Sequence, residues 1–153
     1  MAKIVFITFF IACFCLFSTY GNEDEDVKKF WHIRENAIFQ SRFAKVEIEK
    51  VIYEIVKNAK DKAQNDEQIE CIDVAKSKHI IASNDILKET VTKIMPAIEE
   101  VSATLRTGDH KKLEEFLNNY NYPEYKKEAM KQFKAKVNEL KPIVQQDVDK
   151  CIA

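Results

Sequence analysis

The chain has 153 residues, of which 46% are hydrophobic and 32% are charged, and its formal net charge is −1. It lacks the cationic excess on which nucleic-acid binding depends, so we predict no nucleic-acid partner. Gly21 and Gly108 are the only glycines, too few for a glycine-rich phosphate loop or for the tight turns of an all-β fold. The composition therefore predicts a single all-α domain.

The N-terminal part of the chain is predicted to lie outside that domain. Residues 1–21 resemble a secretory signal peptide, with a positive charge at Lys3, an apolar run over residues 4–17 and small or polar residues before a cleavage site at Asn22. The run is shorter than the roughly 20 residues that cross a membrane, so we predict a secreted, extracellular protein without a stable membrane anchor. The acidic residues 22–26 lack apolar side chains and are predicted to be disordered.

Two cysteines, Cys71 and Cys151, remain after cleavage. In an oxidising compartment such a pair is expected to form a disulfide, within one chain or between two chains. A zinc site is not predicted, because the pair has neither a CxxC spacing nor a neighbouring histidine pair. We predict the intramolecular Cys71–Cys151 bridge, which brings the C-terminus close to the segment around Cys71.

The first predicted element is a long helix over residues 27–63. Apolar side chains recur there every three or four positions without glycine or proline, and the pattern is less regular near residues 39–41, where we predict a bend. Asn65 and Gln68 form an approximate capping box. A second helix is therefore expected from this box to about Ala82.

Three further helices are predicted from the remaining sequence. The segment 83–85 is a cluster of N-cap residues, and an apolar stripe with four-three spacing follows it. The stripe consists of Leu87, Val91, Ile94, Ile98, Val101 and Leu105. This stripe predicts a helix that is either kinked at Pro96 or divided there into two. Asp109 is expected to open a short helix, and Pro123 a last helix that carries Cys151 on its apolar side. The sequence thus predicts a bundle of about five helices with one disulfide.

The mature sequence lacks the patterns of a catalytic or metal site. His32, His79 and His110 lie on different predicted helices, and none stands three or four residues from another. No serine occurs in a Gly-x-Ser-x-Gly turn, and both remaining cysteines are expected to be oxidised. We therefore predict that the protein is not an enzyme and binds no metal or other cofactor.

Five residues are candidates for contacts with a ligand or partner. His79 and Trp31 lie on apolar helix faces, where packing in the core is the alternative interpretation. Tyr120, Tyr122 and Tyr125 crowd the connection before the last helix. Tyrosines in such connections commonly contribute to interfaces, and they can equally cover the end of a core.

Two functions are compatible with these features. The first is a carrier that holds a small apolar ligand between its helices. The alternative is an extracellular protein that binds another protein through its surface, such as an effector, venom or saliva component. A third hypothesis is self-association through leftover apolar surface. A cavity of about 300 Å³ or more between the helices would favour the carrier, and a filled interior would favour the surface-acting protein.

Overall fold

A computed structural model describes residues 24–153, which form five helices and no strand. The helices are α1 (Glu25–Lys60), α2 (Asp66–Glu89), α3 (Met95–Leu105), α4 (Lys111–Asn119) and α5 (Tyr122–Ile152). The predicted all-α fold is confirmed for this part of the chain, and none of these helices is long and apolar enough to span a bilayer. The predicted signal peptide over residues 1–21 lies outside the described residues.

Helix α1 begins earlier than the sequence pattern predicts. The carboxylate of Asp24 accepts the N–H of Asp26 at 3.1 Å and caps the helix. Glu25 and Asp26 occupy the first turn, where the helix dipole favours negative charge. The disorder predicted for residues 22–26 is therefore wrong for Glu25 and Asp26.

The junction between α1 and α2 has the predicted capping geometry. The side-chain oxygen of Asn65 accepts the N–H of Gln68 at 2.9 Å. The side chain of Gln68 in turn accepts the N–H of Gln64 at 2.7 Å. Two backbone donors at the start of α2 are thus satisfied reciprocally, which confirms the capping-box prediction.

Helix α2 does not end near Ala82 but continues to Glu89. Ser83 is buried within it, and its hydroxyl donates to the carbonyl of Ile80 at 2.7 Å instead of capping a new helix. The predicted N-cap at residues 83–85 is therefore wrong. The chain instead turns after Glu89, and α3 begins with Pro96 in its first turn, the second of the two predicted alternatives.

The helices enclose two hydrophobic cores. The first lies between α2, α5 and the C-terminal part of α1, and its largest fully buried side chains are Ile48, Ile52, Ile72, Phe133, Val144 and Val148. The second lies between the N-terminal part of α1, α3, α4 and the start of α5, and its buried side chains include Phe30, Ile33, Ile94, Ile98, Leu113 and Phe116. Tyr125 packs against both cores.

The predicted disulfide joins α2 to the end of α5. The Cα atoms of Cys71 and Cys151 are 5.7 Å apart and the bridge is formed. It confirms the pairing predicted from the sequence. The bridge fastens the last turn of α5, which continues through Pro142, to the second turn of α2.

Candidate functional site

His79 lies at the contact between α2 and α5, away from the predicted tyrosine cluster. Its ring is almost completely buried, and its Nε2 is 3.1 Å from Oδ2 of Asp147. The same carboxylate accepts hydrogen bonds from Lys78 at 2.8 Å and from Lys150 at 3.1 Å. These bonds, the one from Lys78 first, hold the pKa of Asp147 well below its usual range. His79 is therefore placed to fasten α2 to α5.

The pair of His79 and Asp147 lacks a nucleophile in position. The two nearest serine hydroxyls of α2 are already donated to backbone carbonyls, that of Ser77 to Asp73 and that of Ser83 to Ile80. Within residues 24–153 there is also no group of three or more His, Cys, Asp or Glu side chains arranged to hold a metal ion. The contacts of His79 are those of a residue that orders the helix packing.

Tyr125 and Tyr122 are held by the fold. The hydroxyl of Tyr125 accepts the N–H of Ile94 and donates to the carbonyl of Thr90, each at 3.1 Å. It thereby ties α5 to the turn between α2 and α3. Tyr122 is 8% exposed, and burial, assisted by neighbouring Tyr125, raises the pKa of Tyr122 to about 12. Burial likewise raises the pKa of Tyr125.

Tyr120 and Trp31 cover the outside of the second core. The ring of Tyr120 stacks on Phe116 with 4.9 Å between the ring centroids. Trp31 meets Phe30 edge-to-face at 5.3 Å, and the guanidinium of Arg34 lies 5.4 Å from its ring centroid. Both side chains are half-buried, so each packs on the core and still presents part of its ring to solvent.

An open groove of about 710 Å³ runs between the N-terminal part of α1 and the connection from α4 to α5. We call it the α1–α5 groove; it is lined by Lys29, His32, Ile33, Asn36, Leu117, Asn118, Tyr120, Asn121, Tyr122, Pro123 and Lys126. Two lysines and a histidine are present in this lining, and no aspartate or glutamate is. The lining thus combines two lysines with two tyrosines.

The groove contains only part of the candidate set. It brings Tyr120 and Tyr122 together, whereas Trp31, His79 and Tyr125 do not line it. Lys29, His32 and Lys126 are not among the residues predicted from the sequence to contact a ligand or partner. The spacing of Lys29 and His32 places both on one side of α1. Nothing in the local sequence indicates that Lys126, nearly 100 positions later, lies across from them.

Among residues 24–153, the space between α1 and α5, where the carrier hypothesis would place a ligand, is small. This partly open space measures about 10 Å³, room for about one water molecule. Its walls include Ala37, Val91, Tyr125 and Met130. Pockets that enclose a small ligand begin near 300 Å³. The expectation of an apolar ligand held between the helices therefore has no support in this structure.

The chain is similar over its whole length to proteins of Platymeris rhadamanthus. It is 56% identical over 153 residues to "Venom protein family 1 protein 2", and the match covers 100% of both chains. It is 36% identical over 147 residues to "Venom protein family 1 protein 1", which covers 94% of this chain and 97% of that protein. No family model matches the chain, and no solved structure shows a significant match.

Proposed function

The chain belongs to venom protein family 1, and from this premise we propose that it is a secreted venom component that acts by binding a protein at its surface. The venom names of its relatives support an extracellular site of action, as does the signal peptide predicted for residues 1–21. The proposal includes neither an enclosed ligand nor a catalytic step.

The observation that carries this proposal is the close packing of the described helices against one another. The space of about 10 Å³ between α1 and α5 is more than tenfold smaller than a pocket for a small organic ligand. Large side chains from three helices, such as Ile52, Ile72 and Phe133, meet in the first core without exposed surface. Close packing of this kind supports a protein that meets its partner at the surface.

The α1–α5 groove supports a partner that presents an acidic segment. Lys29 and Lys126 line the groove and no acidic side chain does, which favours the attraction of carboxylates. Tyr120 adds a flat apolar surface that its stacking on Phe116 keeps in one orientation. A segment with acidic side chains next to an apolar or aromatic side chain matches both features.

A capture experiment with matched charge variants tests this assignment. The bait is the mature, disulfide-bonded protein, and the source is extracellular fluid from an animal exposed to the venom. The groove variant is Lys29→Glu with Lys126→Glu. The control is Lys62→Glu with Lys88→Glu, which makes the same change in charge at exposed positions outside the groove lining.

The proposal predicts that mass spectrometry identifies a protein recovered by the wild type and by the control. Recovery by the groove variant should fall by about tenfold or more, because two attractive contacts become repulsive. Equal recovery by all three baits would contradict the groove as the binding surface. If recovery by the control falls as well, the overall charge of the protein and not the groove explains the binding.

A second experiment examines the filled interior directly. Titration with a fluorescent fatty-acid probe is expected to show no saturable one-to-one binding, and native mass spectrometry to show no copurified lipid. Saturable binding at micromolar concentration would overturn the argument from packing.

A further inference from the structure

Helix α1 has a second apolar face on the side opposite the cores. This outer face consists of Phe39, Phe43, Val46, Lys50 and Tyr53, spaced by four, three, four and three residues. At its C-terminal end, the ring of Tyr53 also contacts the ammonium group of Lys76 from α2. The exposed fractions are 63% for Phe39, 53% for Phe43, 64% for Val46 and 49% for Tyr53. Such exposure is unusual for three aromatic side chains on one helix face. The spacing is that of a seam between two packed helices.

The apolar area of the outer face is large enough to mark a contact surface. An aromatic side chain carries roughly 150–250 Å², so three aromatic rings exposed by about half, together with Val46, present roughly 400 Å². Scattered exposed apolar residues are normal, but contiguous patches of this size are commonly interaction sites.

We propose that the outer face of α1 is the interface of a homodimer in which the α1 helices of two copies pack antiparallel. The face is complementary to itself. With a two-fold axis midway between Phe43 and Val46, Phe43 of one copy meets Val46 of the other. Phe39 then meets Lys50 of the second copy, which places an ammonium group against an aromatic ring.

The charges beside the outer face favour the same arrangement. Arg42 and Glu49 lie on the same edge of the face and are seven residues apart. In the antiparallel register Arg42 comes next to Glu49 of the second copy, and the two-fold axis repeats this pair. A parallel arrangement would bring Lys50 against Lys50 of the second copy inside the seam, where repulsion is poorly screened.

The expected dimer is weak. Two outer faces together bury on the order of 800 Å² of apolar surface, whereas stable interfaces usually bury about 1,200 Å² or more. Association is therefore expected at micromolar or higher protein concentration. The inference is independent of the α1–α5 groove and stands or falls separately from the proposed function.

Sedimentation velocity of the mature, disulfide-bonded chain over a range of concentrations tests the dimer. The wild type is expected to approach twice the monomer mass at the highest concentration. Phe43→Ser with Val46→Ser should remain monomeric. The control Val74→Ser with Ile81→Ser removes equally exposed apolar side chains from α2, 66% and 68% exposed, and should dimerise as the wild type does. Circular dichroism establishes that each variant is folded.

Charge complementation between two variants tests the register. Arg42→Glu and Glu49→Arg should each weaken the homodimer by about tenfold, because both edge pairs become repulsive. A mixture of the two variants should recover the dimer mass. In the mixed dimer, the new Glu at position 42 meets the new Arg at position 49, and the unchanged Glu49 of the first variant meets the unchanged Arg42 of the second.

Three results would overturn the proposal. The first is a wild type that stays monomeric at every concentration. The second is a dimer that survives both the Phe43→Ser, Val46→Ser variant and the charge variants. The third is a monomer whose outer face instead binds vesicles of anionic phospholipid and releases them after Phe43→Ser, because the occupant would then be a membrane surface.

Discussion

Replacing Tyr125 by phenylalanine removes one oxygen atom at the point where the two cores meet. That oxygen accepts the N–H of Ile94 and donates to the carbonyl of Thr90. Ile94 is almost fully buried and lies just before α3, where no earlier turn of helix supplies an acceptor. The Thr90 carbonyl keeps a long hydrogen bond from the N–H of Lys93 at 3.4 Å. The substitution therefore leaves the N–H of Ile94 without an acceptor, whereas the carbonyl of Thr90 keeps one hydrogen bond.

The magnitude follows from these two unequal losses. A net hydrogen bond contributes about 0.5–1.5 kcal/mol, and a buried donor left without a partner costs about 1–3 kcal/mol. We therefore expect Tyr125→Phe to lower the free energy of unfolding by about 2 kcal/mol. The change should reach both cores together, because Tyr125 packs against each of them.

Equilibrium unfolding in urea, followed by far-ultraviolet circular dichroism, measures this difference. The matched control is Tyr53→Phe, which removes a hydroxyl from a ring that is 49% exposed and leaves its contact with the Lys76 ammonium group in place. The control should lie within about 0.5 kcal/mol of the wild type. A loss below about 0.5 kcal/mol for Tyr125→Phe would refute the assignment of the hydroxyl as the tie between the cores.

Three further measurements follow from the structure. Replacing Cys71 and Cys151 by serine should lower the free energy of unfolding by about 4 kcal/mol, because the unfolded chain regains the conformational freedom of an 80-residue loop. Urea unfolding of the wild type and the serine variant measures this difference. Because the pKa of Asp147 is lower in the folded protein than its unfolded value of about 3.9, the ionised carboxylate stabilises the fold above that pH. This stabilisation is lost as the pH falls toward the pKa of Asp147 in the folded protein. The stability of Asp147→Asn in acid unfolding should therefore depend less on pH. Ultraviolet titration should show a phenol with a pKa of about 12 in the wild type and not in Tyr122→Phe. Because the pKa of Tyr122 is raised in the folded protein, the stability of the wild type should fall as the pH rises from about 10.

Local chemistry made parts of the fold predictable. The capping pair Asn65 and Gln68 acts within four residues, so the start of α2 could be located from the sequence. Cys151 continues the apolar stripe of α5, which places its side chain toward the bundle, and Cys71 is the one other cysteine outside the predicted signal peptide. In both cases the deciding information lies in few residues and needs no knowledge of distant packing.

The end of α2 was not predictable, because the same residue types support two structures. A serine hydroxyl either caps a new helix or bonds a carbonyl one turn back, and buried Ser83 does the latter. The stripe that predicts one helix past Leu87 continues through the turn, since Val91 and Ile94 are buried there as well. The turn is held by Tyr125 from α5, a partner that local sequence does not reveal.

The irregular pattern near residues 39–41 also has a structural cause. Ala37 and Ala44 continue the buried side of α1, while Phe39 and Phe43 start the outer face on the opposite side. Two apolar stripes on one helix blur the periodicity of either one. The sequence pattern alone predicts a bend there and does not reveal that the aromatic residues are exposed.

The two surfaces of α1 lead to a combined consequence for binding. The α1–α5 groove includes His32, which the antiparallel register aligns with Lys57 of the second copy. At 1.5 Å per residue, the two grooves of a dimer then lie about 37 Å apart along the shared helix direction. We expect such a dimer to bind a surface that carries many acidic segments through both grooves, and a soluble partner with one segment to occupy a single groove. Phe43→Ser with Val46→Ser should therefore weaken binding to the partner when it is immobilised at high density, and leave binding to the same partner in dilute solution unchanged.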